Sequence, residues 1–188
     1  MNVGFVALCI TCLSAVLLSL SSPLVHAANV HTHGVSTMTI AVDNSTVEVR
    51  LTTPTVDLVG FEHTLNAESD KRAFEQMNTQ LGQVDDLFVL NGGACQFVSH
   101  TVDAMSVEHS DDHDAIEGHV DEHTAQELHR DVTAYYRFNC EKMSEFSSIT
   151  VTVFALFPRI HQIRSMWITD TQQGAVTLSD KNNMISLR

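Results

Sequence analysis

Short runs in which apolar and polar residues alternate recur along the chain, and they constrain its fold more than any other feature. The clearest run covers residues 131–140, and its apolar members occupy alternate positions: Val132, Ala134, Tyr136, Phe138 and Cys140. Residues 35–42 and 46–52 form two further runs around an Asp43-Asn44-Ser45 turn, which is typical of a hairpin. Alternation with a period of two indicates strands that bury one face.

Helical spacing of apolar residues is clearest in one long segment, residues 68–81. Its apolar members fall on one face: Ala73, Phe74, Met77 and Leu81. Further strands are expected at these positions: 95–107, 149–157, 162–169, 175–179 and 184–187. Closely spaced strands with one principal helix predict an α+β domain with a mainly antiparallel β-sheet.

The first 28 residues differ from the rest of the chain because they carry no Lys, Arg, Asp or Glu. Their apolar run is followed by Val25-His26-Ala27, which has the small-residue spacing of a signal-peptidase site. The run is shorter than the ~20 residues that a membrane span needs. We therefore predict a secretory signal peptide at 1–27 and one exported domain at 28–188, without membrane insertion after cleavage. The alternative is an uncleaved membrane anchor.

Removal of this leader takes two of the four cysteines with it and leaves Cys95 and Cys140. An exported chain with two cysteines usually oxidises them, so a Cys95–Cys140 disulfide is expected. Two buried free thiols are the alternative. If the cysteines face each other in an antiparallel pair, the register fixes two further pairs: Phe97 with Phe138, and Ser99 with Tyr136.

Histidine is the anomaly of the composition, because the 11 His outnumber the 10 Lys and Arg together. Residues 108–129 hold eight acids and no Lys or Arg. They also hold five histidines: His109, His113, His119, His123 and His129. Imidazole and carboxylate are ligands of zinc and similar divalent metals. We expect an insertion at about 108–127 on the tip of a hairpin, disordered without metal. The alternative is a solvated acidic loop with incidental histidines.

Two other motifs offer metal ligands on more regular parts of the chain. In His31-Thr32-His33, the two imidazoles face the same way if the segment is extended, although a dangling N-terminal tail is an equal alternative. Glu62-His63 adds two potential ligands, although a hydrogen-bonded pair at the turn before the helix is an equal alternative. We expect one tight, structured site from these motifs, to which His129 at the end of the insertion is a candidate addition, and several weak sites on the insertion. Two single histidines in strand-like contexts are expected to be structural: His100 and His161.

Two function classes find no support in the sequence. The net charge of −13 makes nucleic acid a poor partner, because binding a polyanion needs a basic face. The sequence contains none of the G-x-S-x-G, H-E-x-x-H, P-loop or G-x-G-x-x-G motifs. We therefore expect a protein that is not an enzyme.

Several of these pieces together resemble the zinc-regulated periplasmic zinc-uptake proteins of the Zrg type. The most specific are His31-Thr32-His33-Gly34 and Gly60-Phe61-Glu62-His63. Other similar pieces follow along the chain: Ala41-Val42-Asp43, Pro54, Leu58-Val59, Cys95, His129-Arg130-Asp131, the segment 135–140, Leu156-Phe157-Pro158 and Trp167-Ile168.

The resemblance implies a bacterial, periplasmic, zinc-binding accessory protein that assists a zinc ABC importer. Its partners would be the zinc ion (Zn2+) and the periplasmic component of that transporter. We expect it to capture or deliver zinc without catalysis. Two alternatives remain at this stage, namely a periplasmic buffer for copper or nickel, and a structural envelope protein whose His-rich loop is incidental.

Overall fold

The computed structural model describes residues 32–63, 67–104 and 130–187. Within these ranges the chain forms strands β1 Val35–Asp43, β2 Thr46–Pro54, β3 Phe88–Asn91, β4 Cys95–Asp103, β5 Asp131–Cys140, β6 Ser148–Val151, β7 Gln162–Ile168, β8 Gln173–Leu178 and β9 Met184–Ser186. The α-helices of the same ranges are α1 Thr55–Val59, α2 Glu68–Gly82, α3 Val84–Leu87 and α4 Val153–Leu156. No helix in these ranges has the length and apolar character needed to cross a membrane.

Several predicted features lie outside the described residues. They are the leader at 1–27, the insertion at about 108–127, and the candidate ligands His31, His109, His113, His119, His123 and His129.

The strands form two sheets. The larger has six strands in the order β4-β5-β2-β1-β7-β8, and the smaller has three in the order β3-β6-β9. All neighbours pair antiparallel except β1 and β7, which run parallel. In the described ranges, α2 is the one helix longer than five residues. The predicted α+β class with a mainly antiparallel sheet is therefore confirmed.

The β1–β2 hairpin forms as the alternation predicts. Asp43 pairs with Thr46 across a turn in which Asn44 has φ 51°, a left-handed conformation that asparagine tolerates. The inward side chains of β2 are buried: Val47, Val49 and Leu51. Strand β2 ends at Pro54, which has no N–H to donate to a sheet.

The core lies between the inner face of the six-stranded sheet, the helices and the smaller sheet. Helix α2 contributes the apolar face that its spacing predicts, with Phe74, Met77 and Leu81 buried. The Tyr136 hydroxyl on β5 donates a hydrogen bond of 3.0 Å to the carbonyl oxygen of Leu81. Burial raises the pKa of Tyr136, so its hydroxyl remains a donor. This bond ties the end of α2 to β5, the strand next to the β4 edge of the sheet.

The predicted disulfide joins the two strands of the β4–β5 pair. Cys95 is bonded to Cys140, and the two residues are direct cross-strand partners. Phe97 faces Phe138 in the same register, with their rings 6.0 Å apart in an edge-on arrangement. The cysteine pairing and the first step of the predicted register are therefore confirmed.

The predicted pairing of Ser99 with Tyr136 is wrong, because β4 contains a bulge. Val98 has no cross-strand partner, and the register shifts by one residue beyond it. Ser99 consequently faces Arg137, and His100 takes the place opposite Tyr136.

The predicted strand over residues 149–157 is only partly correct. Strand β6 ends at Val151, and the apolar residues that follow form helix α4. The neighbours of β6 in the smaller sheet are four and three residues long, so further residues would find no ladder partner. A short apolar run does not distinguish a buried strand from a buried helix turn.

Candidate metal site

Two segments distant in sequence meet beside the start of β1. The Nε2 atom of His33 lies 3.0 Å from Oε1 of Glu62, and the two side chains are 55% and 20% exposed. Gly60, with φ 92°, ends α1 in a left-handed conformation and turns the chain so that Glu62 reaches His33. The structure thus brings together one ligand from each of the two predicted motifs.

A buried carboxylate supports the backbone next to His33. The amide of Gly34 donates a hydrogen bond of 2.7 Å to Oδ2 of Asp57, a residue that is only 3% exposed. Burial raises the pKa of Asp57, while the Gly34 hydrogen bond and the nearby His33 and His161 act in the opposite direction. Asp57 therefore fixes the peptide that follows His33.

A second imidazole lies against the same segment. The amides of His161 and Gln162 both donate to the carbonyl oxygen of Gly34, at 2.9 and 3.0 Å. The His161 ring is close to Gly34, since a Cβ added there would lie 2.9 Å from His161 Nδ1. From the sequence alone, His161 is expected to be a structural histidine. Its proximity to His33 depends on the parallel pairing of β1 with β7, which no local pattern signals.

The remaining predicted ligand on the described chain points elsewhere. The His63 ring stacks on Phe61, with centroids 4.6 Å apart, and its Nδ1 lies 3.7 Å from Oδ2 of Asp70 on α2. This is a polar contact of His63 at the start of helix α2. Neighbouring residues Glu62 and His63 therefore contact different partners.

The donor chemistry beside β1 fits zinc, but the closed site does not appear in the described ranges. His33 and Glu62 offer an imidazole nitrogen and a carboxylate oxygen, both common zinc ligands. No group of three His, Cys, Asp or Glu residues in 32–63, 67–104 and 130–187 is arranged to hold a metal ion. If zinc bound here, the pair would supply two of the four positions of a tetrahedral site.

Comparison with protein families adds an independent finding. A family described as "ZrgA family zinc uptake protein" matches residues 30–187, a range that contains His33, Asp57, Glu62 and His161. A comparison with curated proteins finds no match.

Proposed function

Since the chain belongs to the ZrgA family of zinc uptake proteins, we propose that it is a periplasmic accessory protein that binds zinc and delivers it to a zinc ABC importer without catalysis. The observation that carries this proposal is the contact between His33 and Glu62, at 3.0 Å. These residues belong to the His31-Thr32-His33-Gly34 and Gly60-Phe61-Glu62-His63 motifs.

The proposed tight site uses His33 and Glu62 as its first two ligands. Their contact holds the imidazole and the carboxylate toward each other. Zinc would replace that contact with two metal bonds, and the rigid Gly34–Asp57 hydrogen bond would keep the backbone in place. His161 is a further imidazole beside Gly34, and His31 is the other histidine of the sequence motif.

The exposure of the pair suits a transported ion. A structural zinc site is closed by four protein ligands, whereas an ion that must be handed on needs an accessible coordination sphere. More than half of the His33 side chain is exposed. The His-rich segment at 108–127 would supply the weaker sites, because its acids and imidazoles raise the local concentration of divalent cations.

Titration of the purified protein with zinc, nickel and copper(II) tests this proposal. We expect zinc binding with one tight step, and we expect His33→Ala and Glu62→Gln to weaken that step by at least about tenfold. His63→Ala is the matched control, because it removes a neighbouring imidazole that faces Asp70. A preference for copper or nickel would favour the buffer, and no metal binding would favour the structural envelope protein.

Delivery is tested separately with the purified periplasmic component of the importer. We expect the zinc-loaded protein to transfer its ion to that component faster than the ion dissociates into a competing chelator. If zinc reached the periplasmic component no faster than it reached the chelator, delivery would be contradicted and zinc capture alone would remain.

A further inference from the structure

The outer face of the six-stranded sheet, opposite the core, has no element packed on it among the described residues. It carries large side chains that are partly exposed to solvent, including Tyr135 at 43%, Met166 at 59% and Ile168 at 53%. A cavity of about 960 Å³ lies on this face. Exposed apolar groups gathered on one concave surface are typical of interaction sites.

The strand register explains the shape of this surface. The outward residues of the central strand β1 are small: Thr37, Thr39 and Ala41. In one cross-strand row, Thr39 lies between Arg50 on β2 and Met166 on β7. In the next row, Ala41 lies between Glu48 and Ile168. Small residues flanked by large ones form a trough along β1, which we call the β1 groove.

The two walls of the β1 groove differ chemically. The β7 wall is aliphatic, with Met166 and Ile168. The opposite wall is cationic and aromatic, with the Arg50 guanidinium 5.6 Å from the centre of the Tyr135 ring. A ligand that fills the groove therefore needs both an apolar and a polar side.

The charge of the groove is opposite to that of the whole chain. Arg137 is paired with Glu48 at the groove wall. Arg50 has no carboxylate partner within the described ranges, and neither has Arg164, which lies one row beyond Met166 on the same face. The chain carries 23 acids and only 10 Lys and Arg. Two unpaired guanidinium groups on one face of such a chain make a local site for anions.

We propose that the β1 groove binds an extended, acidic peptide segment of a partner protein that also carries aliphatic side chains. Its carboxylates would pair with Arg50 and Arg164, and its aliphatic groups would pack on Met166 and Ile168. The rows from Thr37 to Ala41 span ~13 Å, the length of about four extended residues.

Other occupants fit the groove less well. Strand addition is not available at its floor, because β1 already pairs with β2 and β7 on both sides. A flat lipid surface does not enter a concave trough. A second copy packed through the same face would bring its own Arg50 and Arg164 to the contact. This inference goes beyond zinc binding and does not depend on His33 or Glu62.

Fluorescence anisotropy with the full chain tests the proposal. The probe is a labelled synthetic peptide in which glutamate and leucine alternate, and the comparison peptide has lysine in place of glutamate. We expect saturable binding of the acidic probe that weakens with added salt. Arg50→Gln combined with Arg164→Gln should weaken binding by about tenfold or more, and Met166→Ser should weaken it independently of salt.

The matched control removes two positive charges elsewhere. Arg72→Gln combined with Lys181→Gln changes two exposed cations away from the groove and should leave probe binding unchanged. Failure of the acidic probe to bind would overturn the proposal, as would equal losses in the control and groove variants. Concentration-dependent dimers or binding to anionic vesicles, if abolished by the two arginine substitutions, would assign the groove to a second copy or to lipid instead.

Discussion

The imidazole of His33 and the carboxylate of Glu62 lie 3.0 Å apart although 29 positions separate them in the chain. Two glycines with positive φ make this possible, Gly34 next to His33 and Gly60 before Glu62. Asp57 holds the first of these turns through its bond to the Gly34 amide. The contact thus rests on backbone geometry, which substitutions remote from His33 and Glu62 can disturb.

Gly34→Ala should destabilise the protein and weaken its tightest zinc step. Gly34 has φ 78°, and a Cβ there would lie 2.9 Å from Nδ1 of His161. A left-handed alanine alone costs ~1–2 kcal/mol of unfolding free energy, and the displaced His161 ring adds to that loss. Urea denaturation and zinc calorimetry measure the two effects.

Gly82→Ala is the control for this substitution. Gly82 lies in the last turn of α2 without positive φ, and an added Cβ would meet Nε2 of His100 at 3.4 Å. Alanine is the better helix former by ~1 kcal/mol, so the control should be no less stable than the parent protein. If Gly34→Ala and Gly82→Ala were equally stable, a side chain at position 34 would not strain this turn.

Asp57→Asn should change how stability depends on pH. Burial raises the pKa of Asp57 in the folded protein above its ordinary value of 3.8. Between the ordinary pKa of the unfolded state and the raised pKa of the folded state, the folded protein binds more protons than the unfolded chain. The free energy of unfolding therefore falls as pH rises through this range. Asparagine keeps an oxygen acceptor for the Gly34 amide but does not ionise.

Denaturation of both proteins at several pH values above about 4 measures this difference. The parent protein should lose stability relative to the Asp57→Asn variant as pH rises, and the gap should become constant once Asp57 is ionised. If the parent protein instead gained stability relative to the variant as pH rose, the Gly34 hydrogen bond would affect the pKa of Asp57 more than burial does.

Loss of the Cys95–Cys140 disulfide should lower the unfolding free energy by ~2–4 kcal/mol, because the bridge restricts the unfolded chain. The bridge spans 45 positions of sequence and joins direct partners on β4 and β5. The double variant Cys95→Ser/Cys140→Ser should therefore unfold at lower urea concentration than the oxidised parent protein. Reduced parent protein is the control, and it should match the variant. If oxidised and reduced parent proteins were equally stable, the bridge would have no role in stability.

The local pattern of the sequence predicts the strands that bury one face. Strands β1, β2 and β5 appear at their predicted positions because the alternation of apolar residues matches the pleat. The disulfide is predictable because only two cysteines follow residue 27. The register of strand pairing is harder to predict. The bulge at Val98 adds one residue to β4, and the sequence pattern before and after it does not reveal that shift.

Non-local contacts account for what the sequence did not predict at the candidate site. His161 lies beside Gly34 because β7 pairs in parallel with β1, and the chain crosses the sheet between them. Asp57 is buried because α1 packs its carboxylate against the Gly34 amide. Neither contact follows from spacing or residue type, whereas His33 and Glu62 are identifiable because imidazole and carboxylate are metal ligands.

Zinc calorimetry of the chain that lacks residues 110–124 separates binding at His33 and Glu62 from binding by the His-rich segment. We expect a folded variant that binds fewer zinc ions in total and keeps one tight step, which His33→Ala in the same background removes. Complete loss of zinc binding on deletion of 110–124 would contradict it. The His-rich segment alone would then be the zinc site, and the contact between His33 and Glu62 would serve only the fold.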